Sequence, residues 1–332
     1  MDSSSILVTG GAGYIGSHVC RALQQRGYLP VTLDNLSTGH RDLVRFGPLA
    51  EGDIGDADLV RALCAQYKPQ AVLHLAAFSE VGESIKFPER YMRNNCEQAR
   101  AFFGAIQERG IRHAVFSGTA AIYGMPEKNI PLKETLPPKP INPYGESKLE
   151  TEQYLLGAGN IRCVSLRYFN AAGAAEDAAI GEAHWPETHL VPNALLCALG
   201  YKKEPLTIYG SDYPTPDGTP VRDYIHVEDL ADAHIRAFDY LLQGGVSEAI
   251  NLGSGHGQSV KEVIDAIGRI TGKTLPVTAG SRRAGDPPFL VADISKAADI
   301  LGWQPKRGLD AMISSAFAWH GSAEYRKLVG LA

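Results

Sequence analysis

The sequence of 332 residues lacks both an apolar run long enough to cross a membrane and an excess of basic residues. A membrane-spanning helix needs about 20 predominantly apolar residues, so we expect no membrane partner. Acidic residues outnumber basic ones by 37 to 32, which gives a formal net charge of −5. Because nucleic-acid-binding surfaces are strongly basic, we do not expect a nucleic-acid partner either.

Cysteine is scarce, with five residues at wide spacings and no C-x-x-C pair. An odd count without close pairs is untypical of a disulfide framework or a zinc site, and the ten histidines show no ligand-type spacing. We therefore expect no metal. Residues 1–5 contain no Lys or Arg, and only three apolar residues follow, which does not fit a secretory or transit signal. These absences predict free thiols in a reducing cytoplasm.

Glycine is abundant, at 35 residues, and the first half of the chain alternates short apolar runs with helical patterns. The apolar runs that predict strands are 6–9, 29–33, 49–53, 71–75, 113–117 and 163–168. Helical patterns occupy 17–26, 58–66, 88–108 and 143–156. Runs without polar alternation are typical of parallel strands buried on both faces. The alternation of strands and helices predicts a doubly wound parallel sheet, the Rossmann type of α/β fold.

From about residue 171 the pattern becomes irregular, with many prolines and aromatic residues. We place a domain boundary there, which gives a Rossmann domain over 1–172 and a smaller mixed α/β domain over 173–332. Helical patterns reappear at 229–242 and 260–270. Segment 221–242 has the pattern of another strand–helix unit, so it is a candidate for packing on the first domain.

A glycine-rich turn follows the first predicted strand and opens the first helix. Gly10, Gly13 and Gly16 permit a tight turn, close approach of a pyrophosphate and close packing of the helix on the strand. The amides of the helix N-terminus are suited to bind phosphate. Asp34 ends the second strand, where a carboxylate binds ribose hydroxyls and repels a 2′-phosphate. The motif predicts a dinucleotide site that prefers NAD to NADP.

Tyr144 and Lys148 stand four residues apart at the start of a predicted helix, so they share one face of it. An ammonium beside a phenol favours the phenolate, which lowers the tyrosine pKa from its usual value of about 10. A tyrosinate can remove a hydroxyl proton while a hydride leaves the same carbon. Surface pairs have the same spacing, but the position after the fifth strand of a nucleotide-binding domain favours the catalytic interpretation.

The chain resembles the extended short-chain dehydrogenase/reductases and, over nearly its whole length, the sugar-nucleotide epimerases among them. The motifs that carry the resemblance are TGGAGYIGSH at 9–18, DNL at 34–36, VGES at 81–84, PYGESK at 143–148, LRYFN at 166–170 and the run at 212–227. The last run is the most specific to the epimerases. The resemblance implies NAD-dependent inversion of carbon 4 of a UDP-sugar, UDP-glucose to and from UDP-galactose, through a 4-keto intermediate.

The resemblance also implies roles for individual residues. Tyr144 would be the base, Lys148 would bind the cofactor and tune Tyr144, and Thr119 would hydrogen-bond the sugar 4-oxygen. The implied NAD site comprises Gly10, Gly13, Tyr14, Ile15, Gly16, Asp34, Asn35, Asp53, Ile54, Leu75, Ala76, Ala77, Asn94, Lys148 and Phe169. The implied UDP-sugar site comprises Thr119, Tyr144, Asn170, His189, Leu190, Thr207, Tyr209, Arg222, Arg283, Asp286 and Leu290. A homodimer would form through the helices at 88–108 and 144–156.

Several alternatives stay open on the sequence. Leu290 stands where relatives gate N-acetylated sugars, and UDP-pentose epimerases share these motifs, so UDP-N-acetylglucosamine and the pair UDP-xylose/UDP-arabinose are rival substrates. Ala120 and Ala121 stand where 4,6-dehydratases carry Asp-Glu, which disfavours a dehydratase. Ser79 replaces a lysine that some epimerases place near the cofactor. A non-catalytic NAD-binding scaffold would have no need of the Thr, Tyr and Lys together.

Overall fold

The computed structural model describes residues 4–283 and 285–331. The strands are β1 (Ser5–Thr9), β2 (Leu29–Asp34), β3 (Leu49–Glu51), β4 (Ala71–His74), β5 (His113–Thr119), β6 (Arg162–Tyr168), β7 (Asn170–Ala172), β8 (Leu206–Tyr209), β9 (Val221–His226), β10 (Glu248–Leu252), β11 (Gly257–Ser259), β12 (Val277–Gly280) and β13 (Phe289–Leu290). The helices are α1 (Tyr14–Gln25), α2 (Ala57–Tyr67), α3 (Val81–Lys86), α4 (Pro88–Met92), α5 (Ala99–Glu108), α6 (Pro143–Gly157), α7 (Leu190–Ala198), α8 (Val227–Leu242), α9 (Val260–Thr271), α10 (Ser295–Leu301), α11 (Leu309–His320) and α12 (Ala323–Val329).

Seven strands form a parallel sheet in the order β10-β6-β5-β4-β1-β2-β3. Every residue of β1 and β4 is buried, because the side chains on both faces of these strands pack against other parts of the chain. Ile6 and Val8 face one helical layer, and Leu7 faces the other. The doubly wound α/β fold predicted from the apolar runs is confirmed.

The strand order reverses beside β1, and this reversal positions the site. From β1 the chain builds outward through β2 and β3, and it then returns to place β4 on the other side of β1. The loops that leave β1 and β4 therefore run in opposite directions and open a crevice at the carboxyl ends of these strands.

The helix predicted at 88–108 is helical throughout but not uniform. A π-helical segment, Arg93–Gln98, separates α4 from α5. Such segments widen a helix by one residue and often occur at functional sites. Here Asn94 of this segment lines the main cleft.

The second half of the chain returns to the large sheet twice. Strand β10 pairs with β6, and α8 packs against α1 beside the sheet. Strand β9, in contrast, pairs with β7, β11 and β13 in a separate sheet. Of segment 221–242, therefore, the helix lies on the large sheet and the strand belongs to the small one. The division at residue 172 stays a prediction.

A further core supports the small sheet. Helices α7, α9 and α11 surround it with apolar side chains that include Val263, Ile267 and Ile313, which are completely buried. Within residues 4–283 and 285–331, none of the helices has both the length and the apolar character to cross a membrane.

Candidate active site

A cleft of about 990 Å³ lies at the carboxyl ends of the large sheet. One wall comes from the loops that follow β1, β2, β4, β5 and β6, and the other from residues beyond 181 in the second half of the chain. An α/β crevice of this kind is where such folds bind ligands.

The glycine-rich turn can be built only from glycine at two of its positions. Gly10 has a φ of +72°, and a Cβ on it would lie 2.7 Å from the Ala76 nitrogen. A Cβ on Gly16 would lie 2.0 Å from the Gly10 carbonyl oxygen. Gly13 is the N-cap of α1 and offers no side chain to the first amides of the helix. The turn and the N-terminus of α1 both line the cleft, where they are suited to hold a phosphate.

Asp34 sits at the end of β2, beside this turn. Its Oδ2 accepts a hydrogen bond from the Ala12 amide at 3.0 Å, and its Oδ1 accepts one from the Leu36 amide at 2.8 Å. Burial raises the pKa of Asp34, and these two hydrogen bonds oppose the rise. Each carboxylate oxygen keeps lone pairs for ribose hydroxyls. The carboxylate is thus fixed in orientation before any ligand arrives.

The three predicted catalytic side chains meet in the cleft. Thr119 ends β5, and its hydroxyl accepts a hydrogen bond from the Ala121 amide at 3.1 Å. Tyr144 and Lys148 lie on the first turns of α6, which begins because Asn142 caps it and Pro143 occupies its first position. All three line the cleft.

The electrostatics of this trio differ from the sequence expectation. Burial raises the pKa of Tyr144, and a hydrogen bond with Thr119 opposes that rise. Burial also lowers the pKa of Lys148 to about 7, with Glu152 opposing the change. The lysine Nζ lies 4.4 Å from the ring centre of Phe116. In the protein alone, burial of the phenol therefore raises the Tyr144 pKa, whereas the sequence predicted a lowering by Lys148.

The structure brings most of the predicted cofactor residues together. Those that line the cleft are Gly10, Gly13, Tyr14, Ile15, Gly16, Asp34, Asn35, Ile54, Leu75, Ala76, Ala77, Asn94, Lys148 and Phe169. Asp53 instead lines a smaller adjoining pocket, where its Oδ2 accepts a hydrogen bond from the Asn35 amide nitrogen at 3.0 Å. Asn35 and Asn94 line both cavities. The hydrogen bond to Asn35 therefore connects Asp53 to the main cleft.

The predicted UDP-sugar residues are also largely together. Thr119, Tyr144, Asn170, His189, Leu190, Arg222, Arg283, Asp286 and Leu290 line the cleft. Thr207 and Tyr209, on β8, are not among the lining residues. Tyr209 nevertheless touches the site, because the Arg283 guanidinium carbon lies 4.2 Å from the centre of its ring. Thr207 instead faces Thr278 on the neighbouring strand, with 3.5 Å between their hydroxyl oxygens.

Two arginines mark the end of the cleft formed by the second half of the chain. Arg222, on β9, donates to Asp286 Oδ1 at 2.6 Å, and only 12% of its side chain is exposed. The Arg283 guanidinium lies over the ring of Tyr209. Fixed guanidinium groups bind phosphate oxygens in pairs, so this end of the cleft suits the diphosphate of a nucleotide sugar.

Sequence reasoning missed several lining residues. The Ser117 and Tyr168 hydroxyls hydrogen-bond each other across the ends of β5 and β6, and both line the cleft. Glu182 and His184 line it beside His189. The signal was present as E-x-H-x-x-E-x-H at 182–189. It differs from zinc motifs, and only the folded loop before α7 brings its members together.

Comparison with known proteins agrees with this geometry. A model of the NAD dependent epimerase/dehydratase family matches residues 6–253. A UDP-glucose 4-epimerase from Rhizobium leguminosarum bv. trifolii is 50% identical over 326 residues, which are 97% of this chain and 99% of the relative.

Solved structures of UDP-glucose 4-epimerases also match the chain over nearly its whole length. UDP-glucose 4-epimerase from Brucella ovis, in complex with NAD, superposes with a TM-score of 0.91 at 46% identity, covering 95% of this chain and 98% of the other. The enzyme from Bifidobacterium longum, in complex with NAD+ and UDP, gives 0.91 at 34% identity, covering 97% and 99%. The chain therefore belongs to the NAD dependent epimerase/dehydratase family, within the extended short-chain dehydrogenase/reductases.

Proposed function

We propose that this protein is an isomerase that interconverts UDP-glucose and UDP-galactose by inverting carbon 4, with NAD as its cofactor. The observation that carries the proposal is the meeting of Thr119, Tyr144 and Lys148 in the cleft that also holds the glycine-rich turn. Curated relatives at about half identity carry this activity in their names. The residues present fit NAD, because Gly10 and Gly16 leave room for a pyrophosphate and the Asp34 carboxylate lines the same cleft, where it can accept hydrogen bonds from ribose hydroxyls.

The chain's own residues have separate roles in this reaction. The amides of the turn and of α1 hold the cofactor pyrophosphate, and Asp34 binds the adenosine ribose. Lys148 binds the other ribose. Bound NAD would supply a reversible hydride acceptor for carbon 4, and its positive charge would favour the Tyr144 phenolate. Tyr144 takes the proton of the 4-hydroxyl, and Thr119 hydrogen-bonds the 4-oxygen throughout.

The other end of the substrate is held apart from the reacting carbon. Arg222 and Arg283 bind the diphosphate, while His189 and Leu190 approach it at the N-terminus of α7. Anchoring a substrate through groups that do not react leaves the sugar free to turn. A cleft of about 990 Å³ gives the 4-keto sugar room to present its opposite face.

Among the rival reactions, the 4,6-dehydratase has the least support. Ala120 and Ala121 lie in the cleft directly after Thr119, and neither can transfer a proton. For the sugar, the deciding side chain is Leu290, which is half-buried in the cleft lining and of intermediate size. UDP-N-acetylglucosamine and the pair UDP-xylose/UDP-arabinose therefore remain the alternative substrates.

We infer a homodimer and a cytoplasmic location as the context of this activity. The dimer would use α5 and α6. Phe102, Phe103 and Ile106 of α5 face the core, which leaves Ala101 and Gly104 as small residues on the outer surface of that helix. Small residues let helices approach closely. The cytoplasmic inference rests on five free cysteines, of which four are buried.

The assay follows from the mechanism. Purified protein, incubated with UDP-galactose and no added NAD, is expected to form UDP-glucose, because hydride leaves and returns within one turnover. UDP-xylose, UDP-arabinose and UDP-N-acetylglucosamine are tested in parallel under the same conditions. Turnover of a pentose or N-acetylated pair with no hexose turnover would contradict the hexose assignment, and no turnover of any pair would contradict the epimerase.

A further inference from the structure

Four side chains at the mouth of the cleft form a compact group. Glu182, His184, Glu187 and His189 lie in the loop that leads from β7 into α7. Each offers one potential ligand atom, and these atoms lie within 4.8 Å of one another. Only His189 has a role in the proposed epimerisation, so the other three side chains are otherwise unexplained.

The spacing of these atoms is near that of the ligands in the coordination shell of a small dication. Glu182 Oε1 lies 2.7 Å from His189 Nδ1 and 3.0 Å from His184 Nδ1. Glu187 Oε1 lies 3.2 Å from His189 Nδ1. Ligands about 2.0–2.2 Å from a tetrahedral zinc ion are separated by roughly 3.3–3.5 Å. The shortest separation, 2.7 Å, would have to grow by roughly 0.6–0.8 Å, and separations near the 4.8 Å limit would have to shrink by roughly 1.4 Å, to place the four side chains around an ion.

The charges of the group also call for a cation. The side chains of Glu182 and Glu187 are 5% and 2% exposed, and buried carboxylates need compensating positive charge. A dication bound among the four side chains would carry a charge equal and opposite to that of the two carboxylates.

A second, independent feature points to a missing ligand. Glu187 Oε1 accepts hydrogen bonds from the amides of Thr188 at 2.7 Å and His189 at 2.8 Å. Glu187 Oε2 is buried and has no hydrogen-bond partner in the described structure. A buried carboxylate oxygen without a partner is destabilising, because its lost hydration is not replaced. An ion bound to Glu187 through Oε2 would supply that partner.

We propose that Glu182, His184, Glu187 and His189 form a binding site for a divalent transition-metal ion of the zinc class. Two imidazoles with two carboxylates suit zinc rather than magnesium or calcium, which prefer shells of oxygen alone. The bound ion fixes His189 and the first turn of α7 at the edge of the cleft. Binding is measured without turnover, so the outcome is separate from that of the epimerase assay.

The test uses the full-length, NAD-loaded protein after removal of metals with a chelator. Zn²⁺ is titrated against a competing zinc indicator, and Co²⁺ is followed by the visible absorption of its four-coordinate form. One ion per chain is expected. His184→Asn should lower the affinity by more than the roughly 10- to 100-fold that loss of an outer-shell partner causes. His256→Asn, at an exposed histidine outside the group, is the matched control and should bind like the wild type.

Three results would overturn the proposal. The first is the absence of stoichiometric Zn²⁺ binding by the wild-type protein, which decides the question without any variant. The second is equal affinity in the wild type, His184→Asn and Glu187→Gln. Retained NAD and an unchanged melting temperature in the metal-free state show that each variant is folded. A Co²⁺ spectrum typical of six-coordinate, water-rich binding would also contradict a four-ligand site.

Discussion

Replacement of Gly16 by alanine tests the glycine-rich turn most directly. The added Cβ would lie 2.0 Å from the Gly10 carbonyl oxygen and 2.8 Å from the Gly11 Cα. Real Cβ atoms do not approach closer than 3.0 Å, so the turn must open by about 1 Å. Overpacking of this kind typically destabilises by about 1–3 kcal/mol. If that strain falls on the bound form of the turn, NAD affinity decreases by about 5- to 160-fold.

The assay measures NAD retained after gel filtration and NAD affinity by titration of the stripped protein. Gly308→Ala is the matched control, since no atom lies within 4 Å of a Cβ at that position, which precedes α11 and does not line the cleft. Alanine there should leave NAD binding unchanged. Gly16→Ala protein that retains wild-type NAD content and affinity would refute the steric argument.

Three further substitutions address the catalytic and binding groups. Tyr144→Phe should lower kcat by about 10²- to 10⁴-fold, as expected for loss of a general base, while calorimetry should show unchanged UDP binding. Arg222→Leu removes a charged partner of the diphosphate and should raise KM by about 10- to 100-fold with a smaller change in kcat. Lys148→Met should stabilise the NAD-free protein, because the pKa of Lys148 is about 7 when folded and 10.5 ordinarily. Between these values the unfolded chain holds a proton that the folded one lacks, so wild-type stability rises with pH. The advantage of Lys148→Met should therefore shrink by about 2 kcal/mol between pH 7 and pH 9 in denaturant titrations.

Each of these expectations has its contrary outcome. Full turnover in Tyr144→Phe would exclude Tyr144 as the base. An unchanged KM in Arg222→Leu would mean that Arg222 serves only its ion pair with Asp286. A stability difference between Lys148→Met and wild type that does not depend on pH would mean that Lys148 keeps an ordinary pKa in the folded protein.

Much of the fold follows from local patterns in the sequence. The apolar runs predict the first six strands of the large sheet because a strand buried on both faces cannot alternate polar and apolar residues. The sequence does not indicate that β10, from the second half of the chain, joins the large sheet. Glu248–Leu252 is short, and its partner β6 lies about eighty residues earlier. Pairing between distant strands leaves no local periodicity to detect.

The active site shows the same division. The sequence determined the glycine-rich turn, Asp34 and the pair Tyr144/Lys148, because spacing within one turn or helix fixes which groups share a face. Only the tertiary structure decided the direction of the Tyr144 pKa, since desolvation depends on what surrounds the phenol. It alone brought Glu182, His184, Glu187 and His189 together, because a loop without helical or strand periodicity carries no rule for where its side chains meet.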